Sequence, residues 1–138
     1  MTVLKLPKWN MAIGDGEPLL CIAGLNVLED IDHTIATAEH LKSVLDGLSL
    51  PFVFKASFDK ANRSSIKSYR GPGLKDGLSM LAEVKQRFNV PICTDIHEVD
   101  QAEAMSPTSY RYRLSSAVRR ISSWPQRARR IKREAFFM

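Results

Sequence analysis

The chain has few of the features that mark secreted or membrane proteins. It has only two cysteines in 138 residues, Cys21 and Cys93, and both lie in apolar, strand-like runs. No uninterrupted apolar run approaches the roughly 20 residues that a transmembrane helix needs, and no cationic, apolar leader with a small-residue cleavage site opens the sequence. We therefore expect a reduced, cytoplasmic protein with no membrane partner.

Two familiar phosphate-binding signatures are also missing. The sequence contains neither the Walker-type glycine-rich loop nor a GxGxxG pattern after a strand. Neither of these two kinds of nucleotide site is therefore expected.

Acidic residues are nearly absent from the last quarter of the chain. Residues 106–138 contain eight arginines and one lysine against Glu134 alone, a net charge of +8, whereas residues 1–105 contain 11 basic and 14 acidic residues, a net charge of −3. Such a split indicates either a basic tail that binds something or a segment of different design. We therefore divide the chain into a folded part, residues 1–105, and a basic tail, residues 106–138.

The most informative stretch that is present runs from Phe52 to Gly73. Its first three residues are apolar β-formers, typical of a strand covered on both faces. Lys55 follows them, and an unpaired ammonium is costly to bury there. In the next loop one carboxylate, Asp59, opposes four cations: Lys60, Arg63, Lys67 and Arg70. This mixture favours a phosphate or carboxylate site, although a solvated cationic loop is an equally good interpretation of the residues alone.

The periodicity predicts an alternation of strands and helices. We predict a hairpin with its turn at residues 14–16, strands at 19–27, from Pro51, and at 91–97, a helix capped by Asp32 that ends near Gly47, an amphipathic helix at 74–88, and a further helix at 98–105. This order implies parallel strands joined by right-handed crossovers.

Polar residues stand near the carboxyl ends of the three predicted strands: Asn26, Lys55 and Asp95. In a (β/α)8 barrel that end carries the active site, so these side chains would converge. A complete barrel takes about 250 residues. We therefore predict an α/β fold that forms the first part of a (β/α)8 TIM barrel, about three β/α units, with an N-terminal hairpin and an irregular basic C-terminal tail. A small open α/β sheet is the alternative.

The residues of the long loop also carry a family resemblance. The run Lys-Ala-Ser-Phe-Asp-Lys-Ala-Asn-Arg-Ser-Ser from Lys55, followed by Ser-Tyr-Arg-Gly-Pro-Gly from Ser68, resembles 3-deoxy-D-manno-octulosonate 8-phosphate synthase. Matching segments lie at Gly24–Glu29 and Thr94–Glu98, so the resemblance covers roughly the first three quarters of the chain. It implies a transferase that condenses phosphoenolpyruvate with arabinose 5-phosphate, in lipopolysaccharide or cell-wall sugar biosynthesis, on a homotetrameric barrel.

The resemblance also implies the roles of particular residues. The positions that match the phosphoenolpyruvate site are Lys55, Ser57 and Lys60. The positions that match the arabinose 5-phosphate site are Asn62, Arg63, Ser64 and Asp95. The positions expected to serve catalysis are Lys60, Asn26 and Asp95. Asn26 matches the metal-independent members, so the resemblance implies no cofactor. Asp95, His97 and Glu98 have a spacing that could suggest a metal site, but we interpret them as a hydrogen-bonded strand end.

After Met105 the sequence departs from the family pattern. The family pattern Asp-Val-Ile-Gln-Ile-Pro-Ala-Phe can be encoded so that a shifted reading frame gives the sequence of residues 108–115. We therefore interpret the tail as frameshifted and this chain as a truncated, poorly active form of the enzyme. The alternative is a non-catalytic fragment whose arginines and aromatic residues bind nucleic acid or an acidic partner. We favour a tail with no nucleic-acid partner.

Overall fold

The structure is a computed structural model that describes residues 3–60, 67–98 and 101. Its strands are β1 (Leu4–Leu6), β2 (Met11–Ile13), β3 (Cys21–Leu25), β4 (Phe52–Ala56) and β5 (Ile92–Cys93). Its α-helices are α1 (Ile31–Gly47) and α2 (Leu74–Phe88), and a 3-10 helix, Pro7–Trp9, joins β1 to β2. The order of elements from β3 to β5 is the predicted strand–helix alternation.

Strands β3, β4 and β5 form one parallel sheet in that order. In the β3–β4 register, Gly24 lies opposite Lys55, and in the β4–β5 register Lys55 lies opposite Cys93. Because the strands are parallel, their carboxyl ends share one edge of the sheet. The prediction of an α/β fold with parallel strands is therefore confirmed.

The core lies between this sheet and the two helices. Helix α1 contacts β3 and β4, α2 contacts β5, and the helices contact each other. Three side chains of one β4 face and Phe58, which follows the strand, join Leu81 and Val84 of α2 in a single buried cluster; the three are Phe52, Phe54 and Ala56. The apolar stripe predicted for residues 74–88 thus faces the sheet, because burying it removes the most apolar surface from water.

The N-terminal hairpin exists and residues 14–16 do form a turn, with a hydrogen bond of 3.3 Å from the backbone N–H of Glu17 to the carbonyl of Gly14, but this turn does not join the strands of the hairpin. Strand β2 pairs with β1, which precedes it, and not with the apolar run after residues 14–16. The chain reverses through the 3-10 helix, which proline at its first position favours, and Asn10 then adopts a left-handed conformation with φ of 50°. Asparagine tolerates that conformation better than most residues, so it can complete the turn.

Two other local predictions need correction. The side chain of Asp30, not that of Asp32, caps α1 by accepting a hydrogen bond of 2.8 Å from the backbone N–H of His33. Asp32 lies in the first turn, where a carboxylate is still favourable near the helix N-terminus. The strand predicted at residues 91–97 pairs only over Ile92–Cys93.

Strand β3 is less buried than its apolar sequence predicts. Ile22 is 38% exposed and Leu19, just before the strand, is 76% exposed. In the described sheet β3 is an edge strand with a partner on one side only, whereas β4 is central. Position in the sheet therefore decides burial where composition does not.

Several predictions fall on residues outside the described part of the chain. They concern most of the helix at 98–105, the boundary near residue 105 and the basic tail. No helix within residues 3–60 and 67–98 is long and apolar enough to cross a membrane.

Candidate anion-binding site

The candidate site lies at the carboxyl edge of the parallel sheet, on the sheet face opposite the helices. Side chains alternate along a strand, so Lys55 and Ser57 point away from the face that Phe54 and Ala56 share with the helices. Asp95 follows β5, beside the end of β4. Strand alternation and parallel pairing together bring these three residues to one place.

The side chains converge on the hydroxyl of Ser57, which is fully buried. Lys55 Nζ and Lys60 Nζ each donate to Ser57 Oγ at 2.9 Å. Ser57 Oγ donates to Asp95 Oδ2 at 2.8 Å, and Lys55 Nζ forms a salt bridge with the same oxygen at 3.1 Å. We call Lys55, Ser57, Lys60 and Asp95 the Ser57 cluster.

The Ser57 cluster contains two ammonium groups and one carboxylate. The salt bridge between Lys55 and Asp95 is shielded, because the two side chains are 26% and 14% exposed. Charges interact more strongly in such a place than in open water. The second carboxylate oxygen, Asp95 Oδ1, is buried and has no hydrogen-bond partner within the described residues. The cluster therefore has a surplus of positive charge and one acceptor still available to a hydroxyl.

A glycine allows the strands to approach closely beside this cluster. Gly24 of β3 has φ of 155°, and a Cβ added there would collide with the backbone carbonyl oxygen of Lys55. Any larger residue would push β3 away from β4 at the level of Lys55. The glycine in the first predicted strand therefore serves the geometry of the site.

Asn26 lies near the cluster but outside its hydrogen bonds. It directly follows β3, is exposed, and is one residue beyond the pair formed by Leu25 and Ala56. Just after it, the backbone N–H of Leu28 donates to the carbonyl of Ser57 at 2.9 Å. The structure gives Asn26 no hydrogen bond to Lys55, Ser57 or Asp95, so it shares the edge with them without joining the cluster.

The described part of the basic loop contains an ion pair that the sequence analysis did not predict. Arg70 Nε and an Nη atom donate to the two carboxylate oxygens of Asp59 at 2.9 and 2.7 Å. These hydrogen bonds hold the pKa of the Asp59 carboxyl below its ordinary value and raise the pKa of Arg70. The anion-binding interpretation counted Arg70 among the available cations, but Asp59 neutralises it. Asp59 is the only acidic residue in the sequence of this basic loop, and this feature could have indicated that it pairs with one of the loop's cations.

The strand end at β5 is hydrogen-bonded to its neighbours. His97 Nε2 lies 3.0 Å from the carbonyl oxygen of Asp59, and the His97 ring packs edge-on against Phe58. The backbone N–H of Glu98 donates to the side chain of Gln101 at 3.2 Å. Within residues 3–60, 67–98 and 101, no three His, Cys, Asp or Glu side chains are grouped to hold a metal ion. The absence of a metal cofactor stays a prediction.

The predicted site residues thus fall into three groups. The structure brings together Lys55, Ser57, Lys60 and Asp95. It places Asn26 at the same edge of the sheet. The remaining three, Asn62, Arg63 and Ser64, lie outside the described residues.

Comparisons with known proteins agree with the resemblance seen in the loop. The relative from Colwellia psychrerythraea is 48% identical over 106 residues, which cover 77% of this chain and 38% of that protein. The relative from Bdellovibrio bacteriovorus is 50% identical over 97 residues, 70% of this chain and 34% of that protein. The relative from Shewanella denitrificans is 53% identical over 89 residues, 64% of this chain and 31% of that protein.

All three relatives are named 2-dehydro-3-deoxyphosphooctonate aldolase, another name for the synthase that the loop residues resemble. The predicted resemblance is therefore confirmed. The matched part of the chain spans less than two fifths of the length of these curated relatives. The profile of the DAHP synthetase I family matches residues 2–110, most of the sequence, so the chain belongs to the DAHP synthetase I family.

Proposed function

We propose that the Ser57 cluster binds the anionic end of phosphoenolpyruvate. The observation that carries this proposal is the convergence of Lys55 Nζ and Lys60 Nζ on one oxygen, each at 2.9 Å. Two ammonium groups held this close favour an anion between or beside them, and the partly shielded position strengthens the attraction. In this assignment Lys55, Ser57 and Lys60 hold the carboxylate.

Asp95 serves the second substrate, arabinose 5-phosphate, in this proposal. Its Oδ1 atom is a buried acceptor without a partner among the described residues, as a sugar hydroxyl requires. Asn62, Arg63 and Ser64, which lie outside the described residues, would bind the same sugar phosphate. The two phosphorylated substrates repel each other, and the fixed lysine cations lower the cost of bringing them together.

The reaction proposed for the complete enzyme is an aldol-type condensation. Carbon 3 of phosphoenolpyruvate adds to the aldehyde of arabinose 5-phosphate, water attacks carbon 2, and phosphate leaves, which gives 3-deoxy-D-manno-octulosonate 8-phosphate. Lys60, Asn26 and Asp95 are the residues we assign to catalysis. We retain the proposal that no metal takes part, since Asn26 stands where metal-dependent members of the resembled family carry cysteine.

The sheet is proposed to be the first part of a (β/α)8 barrel. Strands β3, β4 and β5 lie in sequential order, and both helices pack on one face of the sheet, as in the wall of a barrel. An open doubly wound sheet would instead place helices on both faces. The aligned segments amount to 31–38% of each relative, so we propose that the 138-residue polypeptide binds substrate anions but condenses them poorly by itself. Assembly as a homotetramer is proposed for the complete enzyme.

The experiment that tests the proposed site is a titration of the 138-residue chain with phosphoenolpyruvate by calorimetry. Replacing Lys55 with methionine removes the ammonium and keeps the length of the side chain, so we expect affinity to fall about 10- to 100-fold, as for losing a hydrogen bond to a charged group. Lys75→Met is the matched control, because Lys75 is exposed on α2. Equal affinity in wild type and Lys55→Met would rule out this site.

The low condensation activity proposed for the 138-residue polypeptide can be assayed directly. The wild-type chain is incubated with both substrates, and released phosphate is measured. Rapid phosphate release would contradict the proposal that the 138-residue polypeptide is poorly active. The alternative of a nucleic-acid-binding tail falls on residues outside the described part of the chain.

A further inference from the structure

Two segments flank the basic loop and run side by side. Phe58 follows β4, and its carbonyl accepts a hydrogen bond of 3.1 Å from the backbone N–H of Gly73, next to α2. The backbone N–H of Lys60 donates to the carbonyl of Arg70 at 2.7 Å. The carboxylate of Asp59 then receives both hydrogen bonds from the Arg70 guanidinium. We call residues 58–60 and 70–73 the loop base.

The loop base permits little change in spacing. Gly71 has φ of 117°, and a Cβ added there would collide with the carbonyl oxygen of Phe58. The segment after β5 is attached as well, through the 3.0 Å contact between His97 Nε2 and the Asp59 carbonyl oxygen. Asp59 therefore joins three segments, those after β4, before α2 and after β5.

Lys60 belongs both to the loop base and to the Ser57 cluster. Its backbone N–H is held by Arg70, and its ammonium donates to Ser57 Oγ. A side chain reaches a fixed point only if its own backbone is fixed. The neighbouring carboxylate of Asp59 is meanwhile directed to Arg70, with which it forms a salt bridge of 2.7 Å.

We propose that Asp59 and Arg70 are a positioning pair that fixes the backbone of Lys60, so that its ammonium stays on Ser57 and the anion site keeps its affinity. This proposal rests on the proposed function, because it assumes that the Lys60 ammonium binds the substrate anion. Neither residue touches the ligand in this scheme. Their effect passes through Lys60.

A purely electrostatic effect predicts a different pattern from positioning. Asp59→Asn removes a negative charge near the site, so through charge alone it would strengthen anion binding, and Arg70→Gln would weaken it. Positioning predicts that both substitutions weaken binding, because either one breaks the two-point contact between the Arg70 guanidinium and the Asp59 carboxylate. The affinity of the double variant Asp59→Asn/Arg70→Gln should then be no lower than that of whichever single variant binds less tightly.

The experiment titrates phosphoenolpyruvate, and separately inorganic phosphate, into each variant of the 138-residue chain. We expect each single substitution to weaken phosphoenolpyruvate binding by about two- to fivefold, the range for a partly exposed ion pair. Opposite signs for Asp59→Asn and Arg70→Gln, or full additivity in the double variant, would overturn the proposal. Inorganic phosphate lacks the carboxylate of phosphoenolpyruvate, and we expect it to show the same order of variants; the reverse order would count against a positioning effect through Lys60.

The chain supplies a matched control in α1. Lys42 and Asp46 form a similarly exposed salt bridge of 2.6 Å, four residues apart on that helix. Asp46→Asn and Lys42→Gln make the same charge changes on an element that carries no residue of the Ser57 cluster, and we expect them to leave the affinity unchanged. An equal loss of affinity in these controls would also count against positioning.

A second measurement needs no ligand. Hydrogen exchange at the amide of Lys60 should become faster in Asp59→Asn and in Arg70→Gln, while exchange at the buried Leu81 amide in α2 stays the same. If the wild type binds neither probe, the proposed function fails, but faster exchange at Lys60 still supports the pair. Unchanged exchange at Lys60 in both variants overturns the positioning role whatever the binding result. Arg70→Lys, which keeps the charge and loses the two-point contact, replaces Arg70→Gln if that variant does not fold.

Discussion

The two faces of strand β4 are stabilised by different kinds of interaction. The helix-facing side chains of the strand and of Phe58 just after it are all at most 2% exposed and belong to the main apolar cluster: Phe52, Phe54, Ala56 and Phe58. The opposite face has Val53 and then Lys55 and Ser57, whose contacts are hydrogen bonds and a salt bridge. One strand therefore supports the fold on one face and presents chemical groups on the other.

The comparison shows that the two faces of one strand contribute differently to the free energy of folding. Burial of aromatic surface is the main stabilising term on the helix-facing side. On the opposite face, the hydrogen bonds within the protein mainly replace those that each polar group made with water, so their net contribution to stability is small. Substitutions on the first face should therefore cause the larger losses of stability, and substitutions on the second should cause smaller losses of stability and also weaken binding.

The largest expected effect is that of Phe54→Ala. Phe54 is fully buried, so the substitution removes apolar contacts and leaves a cavity, and we expect the free energy of unfolding to fall by about 3–5 kcal/mol. Chemical denaturation followed by circular dichroism measures this loss. Val44→Ala, on the exposed side of α1, is the control and should change little. A loss below about 1 kcal/mol for Phe54→Ala would break the proposed division between the faces.

A smaller effect on stability is expected for Ser57→Ala on the other face. It removes the oxygen that bonds to Lys55, Lys60 and Asp95, so we expect a loss of about 1.5–3 kcal/mol, as for hydrogen bonds to charged groups. Affinity for phosphoenolpyruvate should fall as well, which calorimetric titration can check. Ser79→Ala, exposed on α2, is the matched control. Normal affinity in Ser57→Ala would mean that the hydroxyl does not organise the lysines.

The smallest expected effect concerns acid stability at the loop base. Arg70 holds the pKa of Asp59 below its ordinary value in the folded chain. The stabilisation from this group is therefore present above its unfolded pKa and is lost as the pH falls through the folded pKa. Urea unfolding is measured at several pH values from neutral into acid. The free energy of unfolding should fall less over this range in Asp59→Asn than in the wild type. An acid slope identical to that of wild type would show that the pair contributes nothing to stability.

Much of the fold could be predicted from periodicity alone. The parallel strands, the two helices and the convergence of Lys55 with Asp95 follow from apolar spacing and from the rule that parallel strands end at one edge. The hairpin turn was misplaced because residues 14–16 carry strong glycine signals, whereas the actual reversal depends on a 3-10 turn and on Asn10. The cap of α1 was misplaced by two residues because Asp30 and Asp32 are equally suitable by composition.

The contacts of the site were predicted only in part. The resemblance and the strand-end rule indicated the members of the Ser57 cluster, but not that Ser57 lies at its centre. The Asp59–Arg70 pair joins residues 11 apart across a loop, and no periodic pattern specifies such a contact. Whether two side chains in an irregular segment meet depends on the three-dimensional path of the loop, which the neighbouring residues in the sequence do not determine.

The hydroxyl of Ser57 has one proton and two lone pairs, and the described contacts use all of them. The proton goes to Asp95, and the two ammonium groups occupy the lone pairs. An incoming carboxylate that takes the Ser57 proton must therefore displace Asp95 from it. In the proposed anion site, binding is then an exchange of the protein's own carboxylate for that of the ligand, and the affinity reflects the difference between these two partners of the same hydroxyl.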